Sequence, residues 1–133
     1  MTVGIAAAQL NAWLDAYCRS VAYTDPVAFY VKLHTGDPGA SGTANAFGDT
    51  TRKQAGFSAA SAGAITTSAD LAWTNLSASG TITHVSFWDH VSDTAIANYL
   101  GSDNLETSRA VSSGDNFTIA TGDLDIAVTP VAA

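Results

Sequence analysis

The side chains that could perform chemistry are few and scattered along this chain of 133 residues. Three histidines, a single cysteine and twelve acidic residues follow no recognisable catalytic spacing. A serine nucleophile is usually presented on a sharp turn within a G-x-S-x-G pentapeptide, beside a histidine base, and that pentapeptide does not occur. Glycoside hydrolysis needs two carboxylates facing each other across a cleft, and the scattered acids cannot be paired from sequence. We therefore predict that the protein is not an enzyme.

Metal binding is the second kind of chemistry that these side chains could support. A zinc site needs clustered cysteines and histidines, and Cys18 with three dispersed histidines gives no such spacing. Calcium takes oxygen ligands from loops, so Asp115, Asp123 and Asp125 are the candidates, the last two pointing to the same face of a strand. No D-x-D-x-D-G pattern accompanies them, and turn capping by Asp123 with a solvated or subunit-facing Asp125 is the favoured interpretation. We predict no metal and no cofactor.

The isolated histidines and the cysteine are interpreted as structural. His84 lies in a strand pattern and is expected to point inward or toward another subunit with a hydrogen-bond partner, metal binding or catalysis being the less favoured alternative. His34 ends a strand and His90 lies in a turn, so both are expected in solvent. Cys18, on the apolar face of a helix, is expected to be a small core residue.

The balance of charges argues against two classes of partner. Five Lys and Arg residues stand against twelve acidic residues, a formal net charge of −7, and the densest basic cluster is Arg52-Lys53. A nucleic-acid backbone needs several cationic contacts, so no nucleic-acid binding is expected. The same balance argues against an anionic membrane surface, and no apolar run approaches the roughly 20 residues of a membrane helix. No basic segment opens the chain as in a secretory signal, so we expect a soluble protein.

The elements that must position these side chains are one helix and many short strands. Over residues 6–21 the apolar residues follow the i, i+3, i+4, i+7 spacing of an amphipathic helix, and the helical segment, residues 1–23, ends before Asp25-Pro26. Such a short helix is marginal alone in water, so its apolar stripe must dock on the domain's own sheet or on another subunit. The stripe consists of Leu10, Trp13, Leu14, Tyr17, Cys18 and Val21.

From residue 27 onward the period of the apolar residues changes to two, which is typical of half-buried strands. Phe29, Val31 and Leu33 alternate with polar residues, and turn residues separate the later segments. Regular short strands with polar turns predict a single mainly β domain, residues 1–133, folded as an antiparallel β-sandwich, jelly-roll-like, with one N-terminal amphipathic helix. The later predicted strands are residues 54–59, 64–66, 71–73, 81–88, 95–100, 106–111, 117–120 and 124–129.

Two features of this pattern predict contacts with other molecules. The loop over residues 35–51 is unusually long. Loops of this length usually either bind another molecule or are flexible, so we predict a contact loop. Trp88 follows Phe87 and so points to the opposite face; if Phe87 is inside, Trp88 is outside or is covered by the helix or a subunit. An exposed Trp marks an interface or a sugar-binding platform, of which subunit contact is favoured. The predicted interface residues are Leu10, Trp13, Tyr17, Asp37, Phe47, His84 and Trp88.

Five sequence blocks follow the helix in a distinctive order. They are residues 30–39 (YVKLHTGDPG), 51–57 (TRKQAGF), 82–89 (ITHVSFWD), 111–117 (VSSGDNF) and 120–126 (ATGDLDI). With these blocks the chain resembles small virion proteins of tailed bacteriophages, commonly labelled tail fibre or minor tail proteins, especially in phages of actinobacteria. The resemblance covers nearly the whole chain and carries no catalytic motif.

The resemblance implies a tail-associated structural protein of the virion, assembled in the host cytoplasm. Its expected partners are other tail or capsid subunits and further copies of itself, a trimer among the options. Two alternatives stay open. One is a capsid decoration protein that bridges major capsid subunits. The other is a receptor- or carbohydrate-binding module of the tail tip, for which residues 37–49 and Trp88 would contact a host-surface glycan.

Overall fold

Strands dominate the part of the chain that the structure describes, residues 4–128 of a computed structural model. One α-helix precedes all but the first strand, and a short 3-10 helix, Ile96–Asn98, precedes the longest one. The elements are β1 (Gly4–Ile5), α1 (Ala7–Arg19), β2 (Tyr30–His34), β3 (Lys53–Gln54), β4 (Ala64–Thr66), β5 (Leu71–Trp73), β6 (Gly80–Trp88), β7 (Tyr99–Val111), β8 (Phe117–Ile119) and β9 (Asp125–Ala127).

All strand pairs are antiparallel, and they form one larger and two smaller sheets. The larger sheet has five strands in the order β1-β7-β6-β2-β3, and the smaller sheets are the pairs β4-β9 and β5-β8. The prediction of a mainly β, antiparallel, sandwich-like fold with an N-terminal helix is confirmed. The jelly-roll arrangement remains a prediction, as does the single-domain boundary, whose ends lie outside the described residues.

The core forms where the alternating side chains of β2 and β6 meet those of β5 and β8. Val31 pairs with Phe87 across the sheet and Leu33 with Val85, which puts these four side chains on one face. They share a buried cluster that also contains Trp73, Leu76, Ile82, Phe117 and Ile119. Full burial of each large apolar side chain contributes about 1.5–3 kcal/mol, so this face supplies most of the driving force for folding.

The loop over residues 35–51 folds back onto the opposite face of the sheet. The backbone N–H of Thr35 donates to the Asn45 carbonyl at 2.8 Å, and that of Phe47 donates to the Leu33 carbonyl at 3.1 Å. The Phe47 ring is 1% exposed and belongs to the core. The predicted contact loop thus covers part of its own domain with a few buried residues, and whether its exposed residues also contact another molecule stays a prediction.

Asp49 fixes the end of this loop through both carboxylate oxygens. Oδ1 accepts from the backbone N–H of Thr51 and Oδ2 from that of Ser77, both at 3.0 Å. The pKa of Asp49 is lowered to about 2, chiefly by the hydrogen bond from the Ser77 N–H. Burial acts in the opposite direction.

Replacing Asp49 with alanine is expected to lower the free energy of unfolding by about 2 kcal/mol, because two charge-assisted hydrogen bonds are lost. Urea denaturation of Asp49→Ala measures the change, with the exposed Asp25→Ala as the matched control. Equal midpoints for the two variants would show that Asp49 does not hold the loop.

Candidate interaction surface

The apolar stripe of α1 is turned toward solvent. No residue of α1 is buried, and the exposed fraction of Tyr17 reaches 92%. Single exposed apolar side chains such as Val91 and Ile96 occur elsewhere, but several of them along one helix form a contiguous exposed apolar patch, which is unusual for a folded domain. The other exposed members of the stripe are Cys18 and the larger residues Leu10 (43%), Trp13 (41%), Leu14 (53%) and Val21 (47%).

A different edge of the helix is partly covered. Gln9, Ala12 and Ala16 are partly buried, and at 100° per residue they lie to one side of the stripe. The Tyr23 hydroxyl donates to Gln9 Oε1 at 3.3 Å, and the Tyr23 ring meets Trp13 edge to face at 6.4 Å between centroids. One side of α1 is therefore partly covered, while Leu14, Tyr17 and Val21 stay in solvent.

An open apolar groove lies between α1 and the sheets. Its volume is about 660 Å³, and Leu10 and Trp13 form its helical wall. Phe29 lies opposite, with its ring 4.9 Å from that of Phe57 and 5.0 Å from that of Phe87. Such a groove can accept an apolar side chain from another molecule. The remaining lining residues include Ile5, Pro26, Ile65, Leu100 and Ile126.

Two carboxyl groups, those of Asp103 and Asp125, line one end of the groove. Burial, foremost, raises the pKa of Asp103 above its usual value, and the Asp125 charge raises it further. An additional anion there would be repelled by both groups. The chemistry of the groove therefore favours a neutral, apolar occupant.

The structure separates the predicted interface residues into accessible and inaccessible ones. Leu10, Trp13 and Tyr17 are exposed on α1, and Asp37 is partly exposed in the loop, where its Oδ1 accepts from the Gly39 N–H at 2.8 Å. Phe47, in contrast, is buried within its own chain. Its expected place at an interface is a correction to the sequence analysis, because the alternation of the long loop could not show that it turns back into the core.

Trp88 was expected to be outside or covered by the helix or a subunit, and it is instead fully buried within its own domain. Its side chain is 0% exposed although Phe87, on the opposite face, is buried as well. The Arg52 guanidinium lies over the indole, 4.2 Å from its centroid, and the Tyr99 ring lies 5.2 Å away. Arg52 is itself held by donating to the carbonyls of His90 and Asp93. The chain's own side chains and loop thus cover the face that the sequence pattern left open.

His34 was expected in solvent and is instead buried beneath the loop. Its Nδ1–H donates to the Ala44 carbonyl at 2.8 Å, so Nε2 is the acceptor for the Ser86 hydroxyl at 2.7 Å. Ser86 Oγ in turn accepts from Trp88 Nε1–H at 2.7 Å. Burial, foremost, lowers the pKa of His34 to about 4. The imidazole therefore connects the sheet to the covering loop as a neutral group.

The other histidines and the cysteine complete the comparison. His90 is exposed as expected, and its Nδ1 accepts from the N–H groups of Ser92 and Asp93. His84 is partly buried and shares a 2.8 Å hydrogen bond with Thr83, while its Nε2 is buried without a partner among the described residues. Cys18 is exposed, so its prediction as a core residue is wrong. The reason is the outward orientation of the α1 stripe.

The acidic residues considered for calcium are not assembled into a site. Asp115 Oδ2 accepts from the Ser112 N–H at 2.8 Å and so caps a turn, while Asp125 shares the groove end with Asp103. Within residues 4–128, no group of three or more His, Cys, Asp or Glu side chains could hold a metal ion. Across the same residues, no helix has the length and apolarity needed to span a membrane.

Sequence reasoning missed Arg52 and Gly42, which the structure gives central positions. Arg52 covers Trp88, and Gly42 lies where a Cβ atom would meet the rings of Trp88 and Tyr99. Arg52 in a weakly charged chain and a glycine within the Gly/Ala-rich loop were the available signals. Neither feature of the sequence shows which aromatic ring the residue contacts, because Arg52 and Gly42 are separated from Trp88 and Tyr99 by 36 or more residues of chain.

Comparison with known families places the chain among phage fibre proteins. A family model described as podophage GP4 fiber I protein gp80 matches residues 4–127. The chain belongs to this family, which confirms the resemblance drawn from the five sequence blocks. The association with actinobacterial phages stays a prediction. No curated protein matches the chain.

Proposed function

We propose that the chain is a non-enzymatic structural component of a phage tail fibre, which acts by binding other virion proteins through α1 and the groove beside it. The observation that carries the proposal is the exposure of the apolar stripe on a helix with no buried residue. A 13-residue helix gains most of its stability from packing, so a partner that covers the stripe would stabilise it. Membership in a fibre family supports a virion partner.

This surface favours protein contact over sugar binding. A sugar platform needs an accessible aromatic face, and the aromatic residue predicted for it, Trp88, is fully buried. The exposed aromatic Tyr17 belongs instead to a helical stripe with aliphatic neighbours Leu10 and Leu14. Grooves that receive apolar side chains beside an amphipathic helix are a common mode of protein recognition.

Removing the outer part of the stripe is expected to keep the protein out of assembled particles. In a phage whose own copy of the gene is deleted, Leu14→Ser/Tyr17→Ser should be incorporated at least about tenfold less than the unchanged chain, since each large apolar side chain contributes more than 1 kcal/mol when buried. Mass spectrometry of purified particles gives the copy number.

The control is Val91→Ser/Ile96→Ser, which removes two other exposed apolar side chains, 53% and 57% exposed, away from α1. This control should be incorporated normally. Normal incorporation of the helix variant, with unchanged thermal unfolding, would contradict the proposal. Catalytic turnover of a cell-surface glycan by the purified chain would contradict its non-enzymatic part.

A further inference from the structure

We infer that α1 packs against α1 of a second copy of this chain, stripe against stripe. The inference rests on the proposed function, because it names the partner of the same surface. A second copy is preferred over an unrelated partner for two reasons, the spacing of the exposed residues and the distribution of charge along the helix.

The exposed residues follow the seam of a coiled coil. Ala7, Leu10, Leu14 and Tyr17 are separated by three, four and three residues, the a/d spacing of a heptad, and all four are exposed. Val21 continues the pattern four residues later, just beyond the helix. Gln9, Ala12 and Ala16 lie on another side of the helix and are partly buried. The seam residues stay exposed, Leu10 also bordering the groove, and can pack against another helix.

The charges of α1 also suit a second copy. The chain has a formal net charge of −7, so two copies repel each other unless they meet where charge is balanced. The charged residues of α1 are Asp15 and Arg19, which pair with each other at 2.9 Å. A basic partner would find no uncompensated acid on this helix. When the seams of two identical helices face each other, both surfaces are neutral. No charges repel each other there, and none is left unpaired.

The seam is short, and this sets the expected strength of the contact. Three large side chains bury less than the roughly 800 Å² per partner of a stable interface. Trp13 and the mouth of the groove lie beside the seam and enlarge the contact. Association of isolated copies is therefore reversible and depends on concentration, and repeated contacts within a particle strengthen it.

Sedimentation of the purified chain over a concentration series tests the inference. The unchanged chain should pass from monomer to a larger species as its concentration rises. Leu14→Ser/Tyr17→Ser should weaken that transition at least about tenfold, and Val91→Ser/Ile96→Ser should leave it unchanged. A chain that stays monomeric up to its solubility limit, or a helix variant that associates normally, would overturn the inference.

Disulfide trapping identifies the surface directly. Leu14→Cys is introduced with Cys18→Ser, so that residue 14 carries the only thiol of the chain. Leu14 lies near the middle of the seam, and its side chain therefore approaches its counterpart whether the two helices run parallel or antiparallel. Mild oxidation should give covalent dimers, whereas Val91→Cys/Cys18→Ser should give few. Equal cross-linking at the two positions would refute the stripe-to-stripe contact.

The two proposals can fail separately. If the chain does not self-associate but Leu14→Ser/Tyr17→Ser is still excluded from particles, α1 binds a different virion protein and only the inference about a second copy fails. If the copies associate through α1 but incorporation is unaffected, the proposed role of this surface in the particle fails instead.

Discussion

Replacing Gly42 with alanine is expected to lower the free energy of unfolding by about 3 kcal/mol or more. A Cβ atom at this position would lie 2.9 Å from the Trp88 ring and would overlap the Tyr99 ring. Neither ring can move freely, because Trp88 is fully buried and the Tyr99 hydroxyl donates to the Gly39 carbonyl at 3.3 Å. The φ of Gly42, +72°, adds strain for any side chain.

Gly39→Ala is the matched control for this prediction. Gly39 has the same φ of +72°, but a Cβ there would meet nothing closer than the Ala44 Cβ at 3.8 Å. Gly39→Ala should lower the free energy of unfolding by about 1 kcal/mol, from backbone strain alone. Chemical denaturation of both variants separates steric overlap from strain. Similar losses for the two would show that the loop does not press on the aromatic rings.

Acidification from pH 6.5 to pH 4 is expected to lower the free energy of unfolding through His34, by at most about 3 kcal/mol. The folded-state pKa is lowered from 6.5 to about 4, chiefly by burial, with the charges of Lys32 and His84 acting in the same direction. Between these values the unfolded chain binds more protons than the folded one, so stability rises with pH across the window and is complete above it.

The structural reason is the hydrogen-bond chain under the loop. A protonated Nε2 would donate to Ser86 Oγ, which already accepts from Trp88 Nε1–H, and the Ser86 hydroxyl would lose its acceptor. Unfolding measured by urea at several pH values provides the test. His34→Gln should flatten the profile between pH 4 and 6.5, whereas exposed His90→Gln should not. A wild-type profile no steeper than that of His34→Gln would contradict the assignment.

Local pattern predicted some of the short elements but neither β1 nor the longest strand. The apolar spacing over residues 6–21 brackets α1, although the predicted helical segment, residues 1–23, is longer, and β4 and β5 match their predicted bounds. Strand β7, however, was predicted as two separate segments. Its middle contains Gly101-Ser102-Asp103-Asn104, which has weak strand propensity. It is extended because β6 pairs with it on one side and β1 on the other, with Gly4 opposite Ser102.

The candidate surface could be predicted only in part. Periodicity revealed the apolar stripe of α1 but could not decide which edge of the helix is partly covered, because that depends on tertiary packing and not on local sequence. Strand alternation placed Trp88 opposite Phe87 correctly. It assumed that one face of the sheet is open, whereas the loop and Arg52 cover it. The groove joins Phe29, Phe57 and Ile126, whose proximity no local pattern encodes.

The outward orientation of α1 gives the native chain a built-in attachment point for labels. Cys18, the only cysteine in the sequence, projects from the last turn of the helix into solvent. Maleimide dyes or gold clusters react with accessible thiols and spare buried ones. The thiol of the isolated chain is thus open to labelling, and the rate at which a tag attaches within particles reports how many helices remain uncovered.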